Sequence, residues 1–141
     1  MNKKVFIVLI LSLIFTQSCE VFVIKGKKII IEEESPEYSQ NSPRGVVAIF
    51  TNELNKDNVL IAAELLIKPD GQLLNATEKF EIISELSRMK RFLDGKQIIN
   101  VIVVENGDIT DVIFEFGSSD MAKFRTLKHN SLYYILSFEK E

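Results

Sequence analysis

The chain has 141 residues, 46% of them hydrophobic, with 17 Lys and Arg against 20 Asp and Glu and a single cysteine. This length suits one domain with an ordinary hydrophobic core, and a single cysteine excludes a disulfide within the chain. The net charge of −3 disfavours nucleic acid as a partner, because binding to phosphates requires a basic surface.

The first 18 residues have the pattern of an export signal. Lys3 and Lys4 are followed by the apolar run Val5–Phe15, which only Ser12 interrupts. A charged start, a short apolar core and a small residue at the cut site are typical of removable signal peptides, whereas a membrane-spanning helix needs about 20 apolar residues. We therefore predict a signal peptide over residues 1–18, with ordinary cleaved secretion without a lipid and an uncleaved anchor as the alternatives.

Cys19 follows this leader directly. The run Phe15-Thr16-Gln17-Ser18-Cys19 resembles the lipobox of bacterial lipoproteins, in which the cysteine receives the lipid. The resemblance implies that Cys19 is lipidated, and that the lipid holds the protein to a membrane of the bacterial cell envelope, on the periplasmic side or the cell surface. Without the two leader lysines, 15 Lys and Arg stand against 20 Asp and Glu, which argues against a polybasic second anchor.

Residues 19–41 are interpreted as a tether between the lipid and the folded domain. Val21–Ile24 and Ile29–Ile31 are apolar and mostly β-branched, and they flank Gly26, which favours a short β-hairpin. Ser35–Pro43 is polar and contains two prolines, as linkers commonly do. The domain proper is predicted over residues 42–141.

Two helices are predicted at the start of this domain. Ser42 as the N-cap and Pro43 at the first helical position mark the beginning of the first helix. Asp57 or Asn58 caps a second, short helix, and the turn Pro69-Asp70-Gly71 ends it. The residues expected to face inward share helical spacing: Val46, Val47, Phe50 and Leu54 in the first helix, and Val59, Ala62, Ala63 and Leu66 in the second.

A third and longer helix is predicted from Asn75 to Asp94-Gly95. Glu78 lies three residues after Asn75, at the position of the acid in a capping box. An apolar stripe follows at helical spacing, and we expect two further apolar residues to lie beside it. The stripe consists of Ile82, Leu86, Met89 and Leu93, and the two flanking residues are Phe80 and Ile83.

The periodicity changes to that of strands after Gly95. Asn106-Gly107 is the strongest short hairpin signal, and turn residues separate the later strands as well. Four consecutive strands joined by short turns predict an antiparallel meander. The predicted strands are Gln97–Glu105, Ile109–Phe116, Met121–Lys128 and Leu132–Phe138, with Val112, Phe114 and Phe116 sharing one face and Tyr134, Leu136 and Phe138 sharing another.

Helices followed by a meander predict an α+β fold. The stretch Ser42–Leu66 has a Ser-Pro start, a Val-Val-x-x-Phe helix, a polar break and an Ala-rich helix that ends Leu-Leu. It resembles the opening of small exported members of the nuclear-transport-factor-2-like (cystatin-like) superfamily. The resemblance implies three N-terminal helices packed on a curved antiparallel four-to-five-stranded sheet in the shape of a cone, with a short strand near Gln72–Leu74.

Enzymes of that superfamily use an acid–base pair inside the cone, but few residues here suit that role. His129 lies in a predicted turn with no apparent partner, and Asp111 points away from the aromatic face of its strand. Tyr133 and Tyr134 are adjacent, so only one of them can face inward. We therefore expect no catalytic residues, and we also expect no cofactor and no metal, because one His and one Cys provide no ligand cluster.

The aromatic residues in the second half of the domain give the clearest functional hypothesis. They are interpreted as a filled core or, alternatively, as the lining of a partly open apolar pocket at the mouth of the cone. We expect a lipid-anchored, non-catalytic binding domain for an envelope protein partner or a small apolar ligand. The alternatives are a lipid-anchored isomerase or hydratase and a purely structural lipoprotein. The aromatic residues in question are Phe92, Phe114, Phe116, Phe124, Tyr134 and Phe138.

Overall fold

The computed structural model describes residues 38–141 in full, and of the preceding residues it describes the backbone of 23–24 and 27–31. The predicted signal peptide and Cys19 lie outside the described residues. The described part has an α+β fold, with helices packed against an antiparallel sheet. Its elements are β1 (Val23–Ile24), β2 (Lys27–Ile31), α1 (Pro43–Asn55), α2 (Val59–Glu64), α3 (Ala76–Leu93), β3 (Ile98–Asn106), β4 (Ile109–Phe116), β5 (Met121–His129) and β6 (Leu132–Lys140).

Helix α1 begins where the sequence predicts. The Ser42 side chain accepts a hydrogen bond from the backbone N–H of Gly45 at 3.0 Å, and Pro43 occupies the first turn. The predicted apolar face is completely buried against the sheet and the other helices. Burial of each large aliphatic or aromatic side chain contributes about 1.5–3 kcal/mol, so this face is a main source of the domain's stability. It consists of Val46, Val47, Phe50 and Leu54.

Helix α2 is short, and the chain after it joins the sheet. Asn58 stands at the N-cap position, but its side chain donates to Glu53 at 2.8 Å instead of capping the helix. After the helix, Leu66 forms a parallel bridge with Ile135. The strand expected near Gln72–Leu74 is present only as a single antiparallel bridge between Leu73 and Ile67.

Helix α3 has the predicted capping box. Glu78 donates its backbone N–H to the Asn75 side chain at 3.0 Å, and its own carboxylate accepts from the Asn75 backbone N–H at 2.8 Å. Leu86, Met89 and Leu93 are buried as expected, but the prediction for Phe80 is wrong, since its side chain is 74% exposed. At about 100° per residue, Phe80 lies roughly 120° around the helix from Leu86, which is beyond the buried stripe.

The sheet is antiparallel, with strand order β1-β2-β3-β4-β5-β6. The four long strands confirm the predicted meander. The strand-prone tract before residue 35 extends it, because β1 pairs with β2 and β2 pairs with β3, with Ile29 opposite Val104 and Ile31 opposite Ile102. Part of the predicted tether is therefore paired with the sheet.

One face of the sheet packs on the helices. In β4 and β5 the alternation is strict, with Thr110, Val112, Phe114 and Phe116 buried in the first strand and Ala122, Phe124 and Thr126 in the second. The face of β4 predicted from the sequence is thus confirmed. Charged side chains occupy the opposite face, where Arg125 donates to Asp111 at 3.1 Å.

The predicted face of β6 is wrong because this strand contains a bulge. Phe138 lies opposite Phe124 and Ile135 lies opposite Thr126, so β6 has one more residue than β5 across the same step. A strand alternates with period two only while the pairing is regular, and an extra residue reverses the faces beyond it. Ile135 and Phe138 therefore face the core, whereas Tyr134 lies opposite Leu127 on the other face.

The turn between β5 and β6 holds two non-glycine residues in the left-handed region. Asn130 has φ 48° and Ser131 has φ 70°. Two positive φ values in a two-residue hairpin loop indicate a type I′ turn, for which Asn-Gly is the preferred sequence. Asn tolerates this conformation, but Ser at the second position is strained.

We predict that Ser131→Gly stabilises the domain by about 0.5–1 kcal/mol, because glycine adopts a positive φ without strain. The greater conformational freedom of glycine in the unfolded state offsets only part of this stabilisation. Urea unfolding of the variant and the wild type measures the change. Ser131→Ala is the control, since it removes the hydroxyl and keeps the β-carbon, and it should give no gain. Equal stability of the two variants would show that the positive φ of Ser131 does not strain the backbone.

Candidate functional site

An apolar groove of about 220 Å³ lies between α3, the segment that follows α2, and β6. Glu85 is its one charged lining residue. Because the lining comes from three separate parts of the chain, the groove exists only in the folded domain. It is lined by Leu66, Ile67, Leu74, Ile82, Glu85, Leu136, Ser137 and Phe138.

Backbone pairing positions the segment that forms one wall. The Ile67 N–H donates to the Ile135 carbonyl at 2.9 Å, and the Ile135 N–H donates to the Leu65 carbonyl at 2.8 Å. The turn that follows is closed by a hydrogen bond from the Lys68 N–H to the Gln72 carbonyl at 2.8 Å. This turn returns the chain toward α3, which places Leu74 at the groove.

The Lys68 side chain connects the same turn to the start of α3. Its ammonium group lies 3.3 Å from the carboxylate of Glu78. The backbone N–H of Asn75 is the main cause that lowers the pKa of Glu78, and Lys68 adds to the effect. A single carboxylate thus serves the helix cap and the wall of the groove.

Among the described residues, those that cover the outer edge of β6 reach over its first half only. The Tyr133 N–H donates to the Gln40 carbonyl at 2.7 Å, the Gln40 side-chain amide donates to the Tyr133 carbonyl at 3.2 Å, and Ile135 pairs with the segment after α2. Beyond the bulge, Glu141 and Met121 exchange two backbone hydrogen bonds at 2.9 Å. Backbone groups alternate between the two sides of a strand, so those of Phe138 and Lys140 point outward.

No described residue pairs with the outward backbone groups of Phe138 and Lys140. The open half of this edge begins beside the groove, because Phe138 contributes its side chain to the groove lining. Ser137 and Leu136, the two residues before it, also line the groove. An apolar groove and unpaired strand backbone therefore lie next to each other.

The aromatic residues predicted as a pocket lining do not converge on one cavity. Phe114 and Phe124 are 4% and 0% exposed and lie 5.3 Å apart, so they fill the core instead of lining a pocket. Phe116 packs edge-on against Phe92 at 5.9 Å. Tyr134 is on the opposite face of the sheet because of the bulge, and only Phe138 lines the groove.

A second cleft of about 310 Å³ lies at the end of the β4–β5 hairpin. It is wider, but most of its lining comes from that one hairpin. Lys96 forms an ion pair with Asp120, and its ammonium lies 4.2 Å from the centre of the Phe92 ring. Hydrogen bonds from Lys96 and then Ser118 lower the pKa of Asp120, so this carboxylate is held in its charged form by contacts that stabilise the turn.

The residues weighed as an acid–base pair are engaged elsewhere. His129 was expected to have no partner, but it has two. Its ring nitrogen lies 2.9 Å from the Asn130 amide, and its ring lies 6.4 Å from that of Tyr134. Asp111 is on the face away from the core, where Arg125 and Lys123 surround it. Neither His129 nor Asp111 lines the groove or the second cleft.

Within residues 38–141, no group of three or more His, Cys, Asp or Glu could hold a metal ion. In the same part of the chain, no helix has the length and apolar character needed to cross a bilayer.

Four of the groove residues were not predicted from the sequence, namely Ile67, Leu74, Glu85 and Ser137. Leu66 and Ile82 were expected to face inward, Phe138 was predicted to line a pocket, and Leu136 was assigned to the same strand face as Phe138, from which the bulge separates it. The available signal was the apolar run Leu65–Ile67, which continues past the end of α2 and is too short for another helical turn.

Comparisons with known proteins identify no relative. No family model matches the chain, and no curated protein or solved structure is similar to it.

The lowered pKa of Glu78 predicts a dependence of stability on pH. A carboxyl whose pKa is lowered in the folded state contributes stability above its ordinary pKa of 4.5, and the contribution is lost as the pH falls through the lowered value. We predict that Glu78→Gln loses less stability than the wild type between neutral pH and acid. A glutamine keeps the capping-box geometry but has no charge to lose.

Thermal unfolding of both proteins at pH 7 and in steps below pH 5 measures this difference. Glu81→Gln is the matched control, since Glu81 is an exposed carboxylate of the same helix. The control should follow the wild type. If Glu78→Gln and Glu81→Gln have the same pH dependence, the capping carboxylate is not a source of the acid sensitivity.

Proposed function

We propose that this protein is a lipoprotein of the bacterial cell envelope, anchored through a lipid on Cys19, and that its folded domain binds a partner protein without catalysing a reaction. The charged start, short apolar core and following cysteine support the anchor. The groove beside β6 supports the binding role. The lipid would keep the groove close to the membrane and to other envelope proteins.

The fold proposed for this domain is the nuclear-transport-factor-2-like cone. Two observations support it: the helices precede the four long strands, and the pairing shifts register between Ile98 and Asn100 and between Arg125 and Thr126. Bulges bend strands and increase their twist, which a cone-shaped sheet requires.

The size of the groove favours a partner protein over an enclosed small ligand. Ligand pockets usually measure about 300–1,000 Å³ and bury most of the ligand. A groove of about 220 Å³ is smaller than this range and open along one side. It is large enough for one or two apolar side chains presented by another protein, and this is the observation that carries the proposal.

We predict that Cys19→Ser abolishes membrane attachment. The variant has no thiol to accept the lipid, so it should leave the membrane fraction and take up no labelled fatty acid. Ser18→Ala is the control, because it keeps a small residue before the cysteine and should still be lipidated. Labelled Cys19→Ser protein in the membrane fraction would contradict the proposed anchor.

We also predict that a photo-crosslinking amino acid at Leu74 captures a partner in intact envelopes. The same amino acid at Leu127, on the opposite face of the sheet, is the positional control and should give no such adduct. Adding Ile82→Asp should reduce the adduct at least about tenfold, because an unpaired charge in an apolar contact is costly and about 1.4 kcal/mol already corresponds to a tenfold loss of binding.

Circular dichroism must show that the Ile82→Asp variant is folded. Equal adducts from Leu74 and Leu127, or an adduct that Ile82→Asp leaves unchanged, would show that the groove is not the binding site.

A further inference from the structure

The open half of the β6 edge offers hydrogen bonds of one specific kind. Phe138 and Lys140 each direct a backbone N–H and a backbone C=O outward, and no described residue accepts or donates to them. Their spacing is that of alternate residues in a strand, so both can be satisfied at once by one extended backbone lying alongside. A small molecule or a helix does not present donors and acceptors at this spacing.

The same edge already accepts extended chain segments from its own domain. Gln40 pairs with Tyr133, and Leu65 and Ile67 pair with Ile135. These segments stop at the bulge, and the apolar groove begins there, with Leu136, Ser137 and Phe138 in its lining. A further segment on Phe138 and Lys140 would continue this row of pairing.

The charges around the open edge favour particular side chains in such a segment. Glu85 is exposed in the groove and Glu141 is exposed beside the edge, whereas the Glu139 carboxylate pairs with Lys123 at 3.2 Å on the other face of the sheet. Lys140 is the one basic residue of the same strand segment, and its ammonium lies 5.7 Å from the centre of the Phe92 ring. Glu85 and Glu141 outnumber Lys140 and attract basic side chains to the edge.

We propose that this edge binds an extended segment of a partner protein as an added β-strand on Phe138 and Lys140. The segment carries alternating residues, with an apolar side chain in the groove and lysine or arginine near the acidic groups. The proposal rests on the binding function proposed above and specifies the kind of partner and the mode of recognition. Strand addition of this type takes its affinity from main-chain hydrogen bonds and its specificity from pockets for alternate side chains.

A second copy of this chain fits the edge less well. A two-fold antiparallel pairing that joins Phe138 to Lys140 of the other copy places the two Glu139 side chains directly opposite each other. Like charges directly opposite in a sheet are destabilising, and each Glu139 has a single cationic partner, its own Lys123 at 3.2 Å, among the described residues. It also brings Glu141 of one copy to the level of Ser137, beside Glu85 in the other.

The test uses the full chain and a displayed library of random dodecapeptides. Selected peptides are synthesised, and their affinities are measured for the wild type and three variants. Lys140→Pro removes one outward N–H without touching the pairing with β5, and proline is tolerated at such an edge position. Lys140→Ala is its matched control, because it removes the same side chain and keeps the N–H. Ile82→Asp tests the groove.

We expect the selected peptides to alternate apolar and basic residues. Their affinity should fall at least about tenfold with Lys140→Pro and with Ile82→Asp, and should change less than about threefold with Lys140→Ala. Two N-methylated forms of one selected peptide test the same hydrogen bonds with the wild-type protein, so the result does not depend on whether the variants fold. One form is methylated at the odd-numbered backbone nitrogens and the other at the even-numbered ones. Only one of the two forms should lose binding, because every second N–H of the bound strand faces β6.

The proposal is overturned if no peptide is selected, if Lys140→Pro and Lys140→Ala bind equally well, or if both methylated forms behave alike. Loss of binding with Ile82→Asp alone would leave the groove as the binding site and remove the strand addition. Concentration-dependent dimerisation that Lys140→Pro prevents would assign the edge to a second copy of the chain instead.

Discussion

The packing of Phe50 between two strands is the contact on which the rest of the domain depends. Phe50 is fully buried on α1, and its ring lies 6.0 Å from that of Phe124 on β5 and 5.6 Å from that of Phe138 on β6. Aromatic rings at these separations interact favourably beyond the area that they bury. One side chain thus joins the first helix to the last hairpin, across most of the length of the domain.

This contact also explains the groove. For Phe138 and Ile135 to face the helices together, β6 needs one residue more than β5, and the bulge near Leu136 provides it. The bulge ends the row of pairing along the outer edge of β6, since Ile135 is the last residue that the segment after α2 contacts through its backbone. The open edge and the apolar groove are therefore consequences of how the core is packed.

Three ion pairs of the domain involve residues of loops or turns. Lys90 binds Asp57 at the start of α2, Lys68 binds Glu78 beside the groove, and Lys96 binds Asp120 at the second cleft. Each pair has partly exposed partners, and exposed ion pairs contribute about 0–1 kcal/mol. The stability of the fold therefore comes mainly from the apolar core, and these pairs add small contacts between loops and neighbouring parts of the domain.

Local sequence signals determined much of this protein. The capping residues Ser42 and Asn75 mark the starts of two helices, and Asn106-Gly107 marks a hairpin, because caps and turns depend on residues within a few positions of each other. The leader and Cys19 are equally local, and they lead to the hypothesis of a lipid anchor. Only the tertiary structure decided the face of β6 and the place of the groove. A bulge forms to satisfy packing between residues as distant in sequence as Phe50 and Phe138, and no pattern within β6 itself records that requirement.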